Sequence, residues 1–402
     1  MQSYLLDWAN LLLRGLHVVT AIAWIGSSFY FVWLDNHLIK PKSPDLLEKG
    51  VDGALWAVHG GGFYNPQKYM VAPKKIHTEL HWFYWESYST WMTGFALFVA
   101  MYLFNPSLYL IDKAVFDWAP ATAVATALAF LVAFWVVYDL LCRAFGERDG
   151  GERIVALLVT TFIVAASVVA CQLFAGRAAF LMIGAMLATA MSANVFFLII
   201  PGQRKVISQM SAGEPVDPIH GRRAKQRSVH NTYFTVPVLV AMLSNHYGWL
   251  YQARHNWLVL VVLMLAGALA RHFFVARHKA HVKGVAPPWG VLAASALMVL
   301  ALVLALLPAV PPASKGAATA LAPQTPTLAQ VQAVLERRCV VCHNAEVQQK
   351  GVALHTRELI RQHAQASYQQ VVLLKLMPLN NTTQITDDER ALIRRWFEGG
   401  AR

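Results

Sequence analysis

The sequence predicts an all-α protein: a polytopic membrane helix bundle with about eight transmembrane helices, followed by a small helical domain. Two observations predict the bundle. Of the 402 residues, 56% are hydrophobic and only 14% are charged, and the mean hydropathy is +0.42. Several apolar runs are also long enough to cross a hydrocarbon layer about 30 Å thick. The third observation is a cysteine motif in a more polar C-terminal segment, which predicts the second domain.

Eight apolar runs are predicted to span the membrane. They cover roughly residues 10–34, 82–104, 121–142, 154–175, 178–200, 232–250, 256–276 and 289–309. The sixth is the weakest, because Pro237, Ser244 and Asn245 interrupt it. The first has no preceding basic segment and no small-residue cleavage site, so we expect a retained helix rather than a cleaved signal peptide. The membrane domain is thus predicted over residues 1–309, and a Pro- and Ala-rich linker over residues 310–326.

Basic residues predict how the bundle is oriented. They crowd the connections after spans one, three, five and seven, whereas the alternate connections hold only Lys113, Arg177 and Arg254. Because basic connections stay in the cytoplasm, both termini are predicted to lie outside it. The net charge of +12 is therefore interpreted as a topology signal, and nucleic-acid binding is not expected. We expect a multi-pass protein of the bacterial inner membrane with a periplasmic C-terminal domain.

The motif Cys339-x-x-Cys342-His343 predicts covalently attached haem c. In this motif each thiol forms a thioether with a haem vinyl group, and the histidine becomes the proximal iron ligand. Met377, followed by Pro378, lies downstream at a distance usual for the second axial ligand. A chance match or half of a zinc site is the alternative, but no second Cys or His pair follows at zinc spacing.

Two helices are predicted to bracket the haem motif. Residues 327–338 have helical apolar spacing and run into the first cysteine, and residues 386–389 form a capping box before a second apolar face. This arrangement over residues 327–402 resembles a class I cytochrome c domain. A segment of this length has only a marginal hydrophobic core, and covalent haem is expected to complete that core. Cys142 and Cys171 are interpreted as small apolar residues of the spans, and no disulfide is expected.

Polar side chains within spans are costly and therefore suggest function. His17 in span one and His246 at the end of span six are both predicted on the periplasmic side. Arg14 lies one helical turn before His17, where a guanidinium would pair with a haem propionate. The two histidines are therefore interpreted as axial ligands of a b-type haem. Histidines hydrogen-bonded between helices are the alternative.

The connection after span one carries a second group of candidate residues. Residues 56–64, W-A-V-H-G-G-G-F-Y, form a glycine-rich turn between aromatic residues, and Lys74 and Lys75 follow. No Gly-Lys-Ser/Thr sequence is present, so the glycines are interpreted as a place where backbone amides approach a planar or anionic ligand. His77 and His81 are spaced to share a helix face, and a metal pair is one interpretation, although H-x-E-x-H is not the zinc-protease order. The Trp and Tyr residues nearby also suit an interfacial aromatic belt.

These motifs together resemble the membrane-bound, cytochrome c-linked urate hydroxylase (urate oxidase) family over essentially the whole chain. The segments that carry the resemblance are 15–19, 23–31, 56–64, 230–233 with Pro237, 244–247, 339–343 and 377–381. The resemblance implies oxidation of urate to 5-hydroxyisourate in purine catabolism, with oxygen from water. It also implies that two electrons leave through haem c to a soluble cytochrome c or a terminal oxidase of the respiratory chain.

The motifs, considered together with this reaction, predict roles for three sets of residues. The expected substrate-binding residues are Gly60, Gly61, Gly62, Phe63, Tyr64, Lys74 and Lys75. The expected catalytic residues, among which a histidine takes up protons, are His59, His77, His81, Glu86 and His230. The expected cofactor-binding residues are Cys339, Cys342, His343 and Met377 for haem c and His17, His246 and Arg14 for haem b, with iron bound by His343, Met377, His17 and His246.

Electron flow raises a physical difficulty. Electrons from a cytoplasmic urate site would have to cross much of a layer about 30 Å thick to reach a periplasmic haem. Either a haem between His17 and His246 relays them, or the urate pocket lies deeper among the helices than the loop motifs suggest. Two other functions stay open: a membrane redox protein that oxidises another small donor such as a quinol, and a transporter or metal-handling protein with a cytochrome c tail.

Overall fold

Helices account for most of the chain in the computed structural model, which describes residues 2–69, 73, 76–282, 284–307 and 325–402. Lys74, Lys75 and most of the predicted linker lie outside the described residues. Up to residue 307 the helices are α1 (Gln2–His37), α2 (Pro44–Glu48), α3 (Trp85–Phe98), α4 (Pro106–Tyr109), α5 (Pro120–Phe145), α6 (Gly151–Leu173), α7 (Gly176–Ala193), α8 (Ile200–Ser211), α9 (Pro218–Leu243), α10 (Gly248–Tyr251), α11 (Asn256–Val282) and α12 (Trp289–Ala305).

The described chain contains five helices that are long and apolar enough to cross a membrane. They are Trp8–His37, Pro120–Phe145, Gly151–Leu173, Gly176–Ser211 and Asn256–Arg277. The fourth joins α7 to α8 through a π-helical segment, Asn194–Ile199. The other three predicted spans also coincide with helices, but α3 has 14 residues, α12 has 17, and α9 is polar over its first half. A multi-pass membrane protein is therefore supported, whereas the number eight stays a prediction.

The sixth predicted span has different ends in the structure. α9 begins at Pro218 rather than near residue 232, and it ends at Leu243, where a 3₁₀ turn, Ser244–His246, follows. Asp217 caps the helix by accepting a hydrogen bond from the Ile219 amide, and Pro218 occupies the first turn, where it needs no amide partner. The hydropathy pattern missed this start because the first half of the helix is polar.

Helix α7 lies at the centre of the bundle and packs against α3, α5, α6, α9 and α10. Small residues on α7 allow close approach, as expected for helices that pack in a membrane. At Gly184, any Cβ atom would lie 2.9 Å from the Cβ of Ala241 on α9. α1 is more peripheral: it packs on α3 and makes smaller contacts with α9 and α11.

Residues 53–68 form two short antiparallel sheets that the all-α prediction did not include. The strands are β1 (Gly53–Ala54), β2 (Ala57–His59), β3 (Gly62–Tyr64) and β4 (Gln67–Lys68), with β1 paired to β4 and β2 to β3. Gly60 and Gly61 make the β2–β3 turn with φ angles of 58° and 80°. A two-residue hairpin turn of this type requires positive φ at both positions, which explains these glycines by backbone conformation.

The C-terminal domain, residues 327–402, is built on two end helices that pack together. Its helices are α13 (Leu328–Arg338), α14 (Arg357–Gln362), α15 (Ala364–Ser367) and α16 (Asp387–Glu398). Both predicted helix starts are confirmed, because Thr327 with Gln330 and Thr386 with Glu389 form capping boxes. The apolar faces of α13 and α16 meet in a buried core that includes Trp396, which is 1% exposed.

Candidate functional site

The predicted proximal haem ligand, His343, is held by a backbone hydrogen bond. Its Nδ1 lies 3.0 Å from the carbonyl oxygen of Val352. Because a carbonyl oxygen only accepts, Nδ1 carries the proton, and the lone pair of Nε2 is left for a metal. Cys339 and Cys342 are free thiols, as thioether formation requires. Burial raises the pKa of the Cys339 thiol to about 12, so this thiol stays protonated at neutral pH.

The predicted distal ligand, Met377, is fixed through its backbone. Its amide donates to the carbonyl oxygen of Gln370 at 3.0 Å, and its carbonyl oxygen accepts from Arg390 at 2.9 Å. The Met377 side chain packs against the same buried core that contains Cys339. These residues fit haem c, because the two thiols would form its thioethers and the His343 imidazole and Met377 sulfur would bind its iron.

One helix cap of this domain is reinforced by an ion pair. Arg338 at the end of α13 donates to both carboxylate oxygens of Glu389, at 3.1 Å from Nε to Oε2 and 3.1 Å from Nη2 to Oε1. Burial by itself raises the pKa of Glu389, but the Thr386 amide and the Arg338 guanidinium outweigh it, and the pKa is lowered. Its charge therefore joins the two end helices at neutral pH.

The loop that carries Met377 is docked on the membrane bundle. The side chain of Leu376 packs against the bundle core, next to Gly248 of α10. A Cβ atom on Gly248 would lie only 2.6 Å from Leu376 Cδ2, so glycine is what leaves room for the leucine. The residue beside the predicted distal ligand is thus in direct contact with the helices.

Two hydrogen bonds hold the same surfaces together. The Asn380 side-chain amide donates to the Leu108 carbonyl oxygen at 2.7 Å, and the Gln252 side-chain amide donates to the Lys375 carbonyl oxygen at 2.5 Å. Leu108 and Gln252 belong to the connections that are poor in basic residues. The C-terminal domain therefore lies at the end of the bundle that the charge pattern predicts to face the periplasm.

Substituting Val for Gly248 is expected to loosen this docking. Adding bulk where Leu376 already packs costs about 1–3 kcal/mol, so the amides of residues 374–381 should exchange about tenfold faster or more. Hydrogen exchange followed by mass spectrometry measures the change. Gly290→Val is the matched control, since nothing lies within 4 Å of a Cβ at Gly290. Equal protection of the loop in both variants would contradict the assigned role of Gly248.

His17 is anchored from one side by α3. Its Nδ1 lies 3.1 Å from both the Thr90 carbonyl oxygen and the Thr93 hydroxyl, which leaves Nε2 free. A Cβ atom on Gly94 would lie 2.8 Å from Cε1 of His17, so this glycine makes space for the ring. The anchoring of one ring nitrogen is what a metal-binding histidine requires.

The rest of the predicted haem b site is less complete. Arg14 is partnered by the Asn10 side chain at 2.5 Å and by the Met101 sulfur at 3.0 Å. His246 is exposed at the end of its 3₁₀ turn. Among the described residues, no hydrogen bond or ring contact joins His17 to His246. Their pairing through a haem therefore stays a prediction.

His230 on α9 is mostly enclosed, with 13% of its side chain exposed, and belongs to a polar cluster within the bundle. Its Nδ1 lies 2.8 Å from the Tyr138 hydroxyl, and its Nε2 lies 3.7 Å from a carboxylate oxygen of Glu152. Asn194 donates to the Tyr138 oxygen at 3.1 Å, so the phenol proton is assigned to the bond with Nδ1. Nδ1 of His230 therefore accepts the hydrogen bond from the phenol, and Nε2 is the ring nitrogen that faces Glu152. The ring also lines an apolar cavity of about 280 Å³.

A charge network lies next to this cluster. Asp139 accepts from Arg227 and from Arg143, each at 2.6 Å. The Arg227 side chain is only 2% exposed, and its guanidinium also lies 4.7 Å from the centre of the Tyr138 ring. Asp139 thus neutralises a fully buried cation beside the His230 cluster.

The other predicted catalytic residues lie elsewhere. His59, His77 and His81 are exposed in the segment between α1 and α3, and in the described structure no contact joins them to His230. The prediction that His77 and His81 share a helix face is wrong, because residues 76–84 are not helical and α3 begins at Trp85. Glu86 is in the first turn of α3, with one carboxylate oxygen buried and without a partner.

Of the predicted substrate-binding residues, Phe63 and Tyr64 are exposed on the hairpin. The described residues contain no group of three or more His, Cys, Asp or Glu side chains that could hold a metal ion.

Sequence reasoning missed several buried polar residues. Asp139, Asn194 and Arg271 lie within predicted spans three, five and seven, where a charged or amide side chain is costly and so suggests function. Asn194 also begins the π-helical segment, a distortion that occurs often at functional sites.

Comparison with protein families gives a match over the whole bundle. A family model described as urate oxidase N-terminal matches residues 3–306, from α1 to the end of α12. No curated protein and no solved structure matches the chain.

Proposed function

Because the chain belongs to the urate oxidase N-terminal family, we propose that it is a membrane-bound urate hydroxylase linked to haem c. In the proposed reaction, urate and water give 5-hydroxyisourate, two protons and two electrons. The observation that carries the proposal is the family match over residues 3–306, which includes the bundle with its buried His230 cluster. The oxidoreductase class follows from that family, whereas the electron acceptor is inferred from the C-terminal residues.

Covalent haem c would supply a one-electron acceptor, so each urate molecule would reduce it twice. Cys339 and Cys342 would attach this haem, and His343 and Met377 would bind its iron. The docking of Leu376 on the bundle supports direct electron transfer from the membrane domain. The acceptor beyond the chain would be a soluble cytochrome c or a terminal oxidase. In the predicted orientation, the C-terminal domain is periplasmic and the bundle lies in the bacterial inner membrane.

His230 is the candidate for taking up protons during the reaction. It lines the 280 Å³ cavity, it is hydrogen-bonded to Tyr138, and Glu152 stands beside its second nitrogen. A base within hydrogen-bond reach of a relay group suits the release of protons from water and urate. The exposed residues His59, His77 and His81, with the half-buried Glu86 and the hairpin, would form the cytoplasmic approach to this cavity.

An intramembrane relay is part of the proposal. Tyr138, Glu152 and Asn194 of the His230 cluster lie near those ends of α5, α6 and α7 that are predicted to be cytoplasmic. The C-terminal domain docks at the other end of the bundle, so electrons would cross much of a layer about 30 Å thick. A b-type haem would then lie between these two places. His17, whose Nε2 is free and whose ring packs beside Gly94, would be one iron ligand and His246 the other. Arg14 would pair with a haem propionate. Replacing His17 or His246 by Ala should then slow reduction of haem c by urate.

Anaerobic addition of urate to the purified, haem-loaded protein tests the function. We expect the reduced α-band of a c-type haem to appear, with two haem groups reduced per urate consumed. Reduction by a quinol and not by urate would favour the other redox function and reject urate as donor. Reduction by neither would reject both and favour a transporter or metal-handling protein.

A further inference from the structure

Arg271 on α11 is a buried cation without a counter-ion. The residue is only 7% exposed, and two of its nitrogens, Nε and Nη2, are buried without a hydrogen-bond partner. Among the described residues, no carboxylate forms an ion pair with it. Arg227, which is 2% exposed, also has two buried nitrogens without a hydrogen-bond partner, but its charge is paired with Asp139 at 2.6 Å. Of the two buried guanidinium groups in the described part of the bundle, one is therefore neutralised by a carboxylate and the other is not.

An unpaired guanidinium inside a membrane bundle is unfavourable. The free-energy cost of removing such a charge from water is offset only by an opposite charge and by hydrogen bonds from its donors to acceptors. Charged residues in membrane segments accordingly face partners or binding sites. An anion bound at Arg271 would provide both the charge and the acceptors.

The geometry of Arg271 fits a planar anion. Nε and Nη2 lie on one edge of the guanidinium, and this edge is the fork that binds two acceptor atoms side by side. The guanidinium carbon lies 3.8 Å from the centre of the Phe29 ring on α1, so the ring holds the plane of the fork. Both features are set by neighbouring helices before any ligand binds.

The surroundings connect Arg271 to the His230 cavity. Tyr233 on α9 is the electrostatic neighbour of Arg271, and its hydroxyl is hydrogen-bonded to Nδ1 of His272 at 2.8 Å. Tyr233 also lines the 280 Å³ cavity, as does Ala268, one helical turn before Arg271 on α11. Arg271 itself does not line the cavity, so an anion would reach its Nε and Nη2 from the cavity when the side chains that cover these two atoms move aside.

We infer that Arg271, with Phe29 holding its plane, is the anchor that binds the urate anion within the membrane bundle. Urate is a planar monoanion at neutral pH, and two adjacent acceptor atoms on its edge would receive the Nε and Nη2 hydrogens. This inference rests on the proposed function and gives it a substrate site. It places the substrate among the helices rather than on the exposed hairpin.

Urate binding to the detergent-solubilised, haem-loaded protein tests this site, by equilibrium dialysis and by the rise in melting temperature that urate causes. Arg271→Met should weaken binding by about 100-fold and abolish the melting-temperature rise. Arg271→Lys, which keeps the charge without the fork, should weaken it by about tenfold. Arg254→Met, an exposed arginine in the α10–α11 connection, is the matched control and should bind urate like the unmodified protein.

Folding is monitored without urate, where Arg271→Met should melt at the same temperature or higher, because an unpaired buried charge is removed. Unchanged urate affinity in Arg271→Met, with urate still reducing haem c, would overturn this inference alone. An unmodified protein that neither binds urate nor is reduced by it would overturn the proposed function as well. Loss of b-type haem in Arg271→Met, with urate affinity unchanged, would assign the guanidinium to a haem propionate and also overturn the inference.

Discussion

Replacing Cys342 by Ser is expected to eliminate stable haem c and, with it, reduction of the C-terminal domain by urate. One of the two thioethers is lost, and the marginal core of residues 327–402 loses the apolar centre that the haem would supply. A haem stain after denaturing electrophoresis and the pyridine haemochrome spectrum measure attachment. We expect loss of most or all of the c-type signal, which is the largest effect predicted for any single substitution in this chain.

Two comparisons make this result specific. Cys171→Ser is the control, because Cys171 is also a free thiol but is buried in α6, away from the haem motif. Urate binding by the membrane domain should persist in Cys342→Ser, since Arg271 is untouched. A Cys342→Ser protein with a full complement of covalent haem would refute the assignment of the motif.

Replacing Asp139 by Ala is expected to destabilise the bundle by about 3–5 kcal/mol, the range measured when one partner of a buried ion pair is removed. The cost arises because Arg227 stays buried with its charge unpaired. Thermal unfolding in detergent, followed by circular dichroism, measures the change.

The double variant Asp139→Ala/Arg227→Met should recover much of this stability, because the stranded charge is then absent. Glu147→Ala removes the partner of Arg223 in a more exposed ion pair, and its cost should stay within about 1 kcal/mol. If the double variant is less stable than Asp139→Ala, the ion pair does not act as described, and the network with Tyr138 would be the more important contribution.

The sequence predicts most of the architecture, because long apolar runs and capping boxes are local signals. Thr327 and Thr386 start their helices where expected, and the apolar spacing of α13 matches its buried face. The start of α9 was missed because hydropathy does not detect a polar helix that extends beyond the apolar layer. The β2–β3 hairpin was missed because Gly60 and Gly61 were interpreted through a ligand rather than through the positive φ of a tight turn.

The candidate site was harder to predict because its residues come from different helices. The partnership of His230 with Tyr138 joins positions 92 apart in the sequence, and that of Asp139 with Arg227 joins positions 88 apart. Neither pair has a local spacing that a motif could reveal. Arg271 belongs to no local motif either, and its lack of a counter-ion is visible only once its neighbours are placed.

The separation of Arg271 from the docked C-terminal domain has an energetic consequence for the cell. In the predicted orientation, electrons released near Arg271 travel from the negative to the positive side of an energised membrane. For each electron that crosses a potential of 100 mV in this direction, the free energy falls by about 2.3 kcal/mol. The membrane potential would therefore pull urate oxidation forward, and the enzyme would spend part of that potential instead of adding to it.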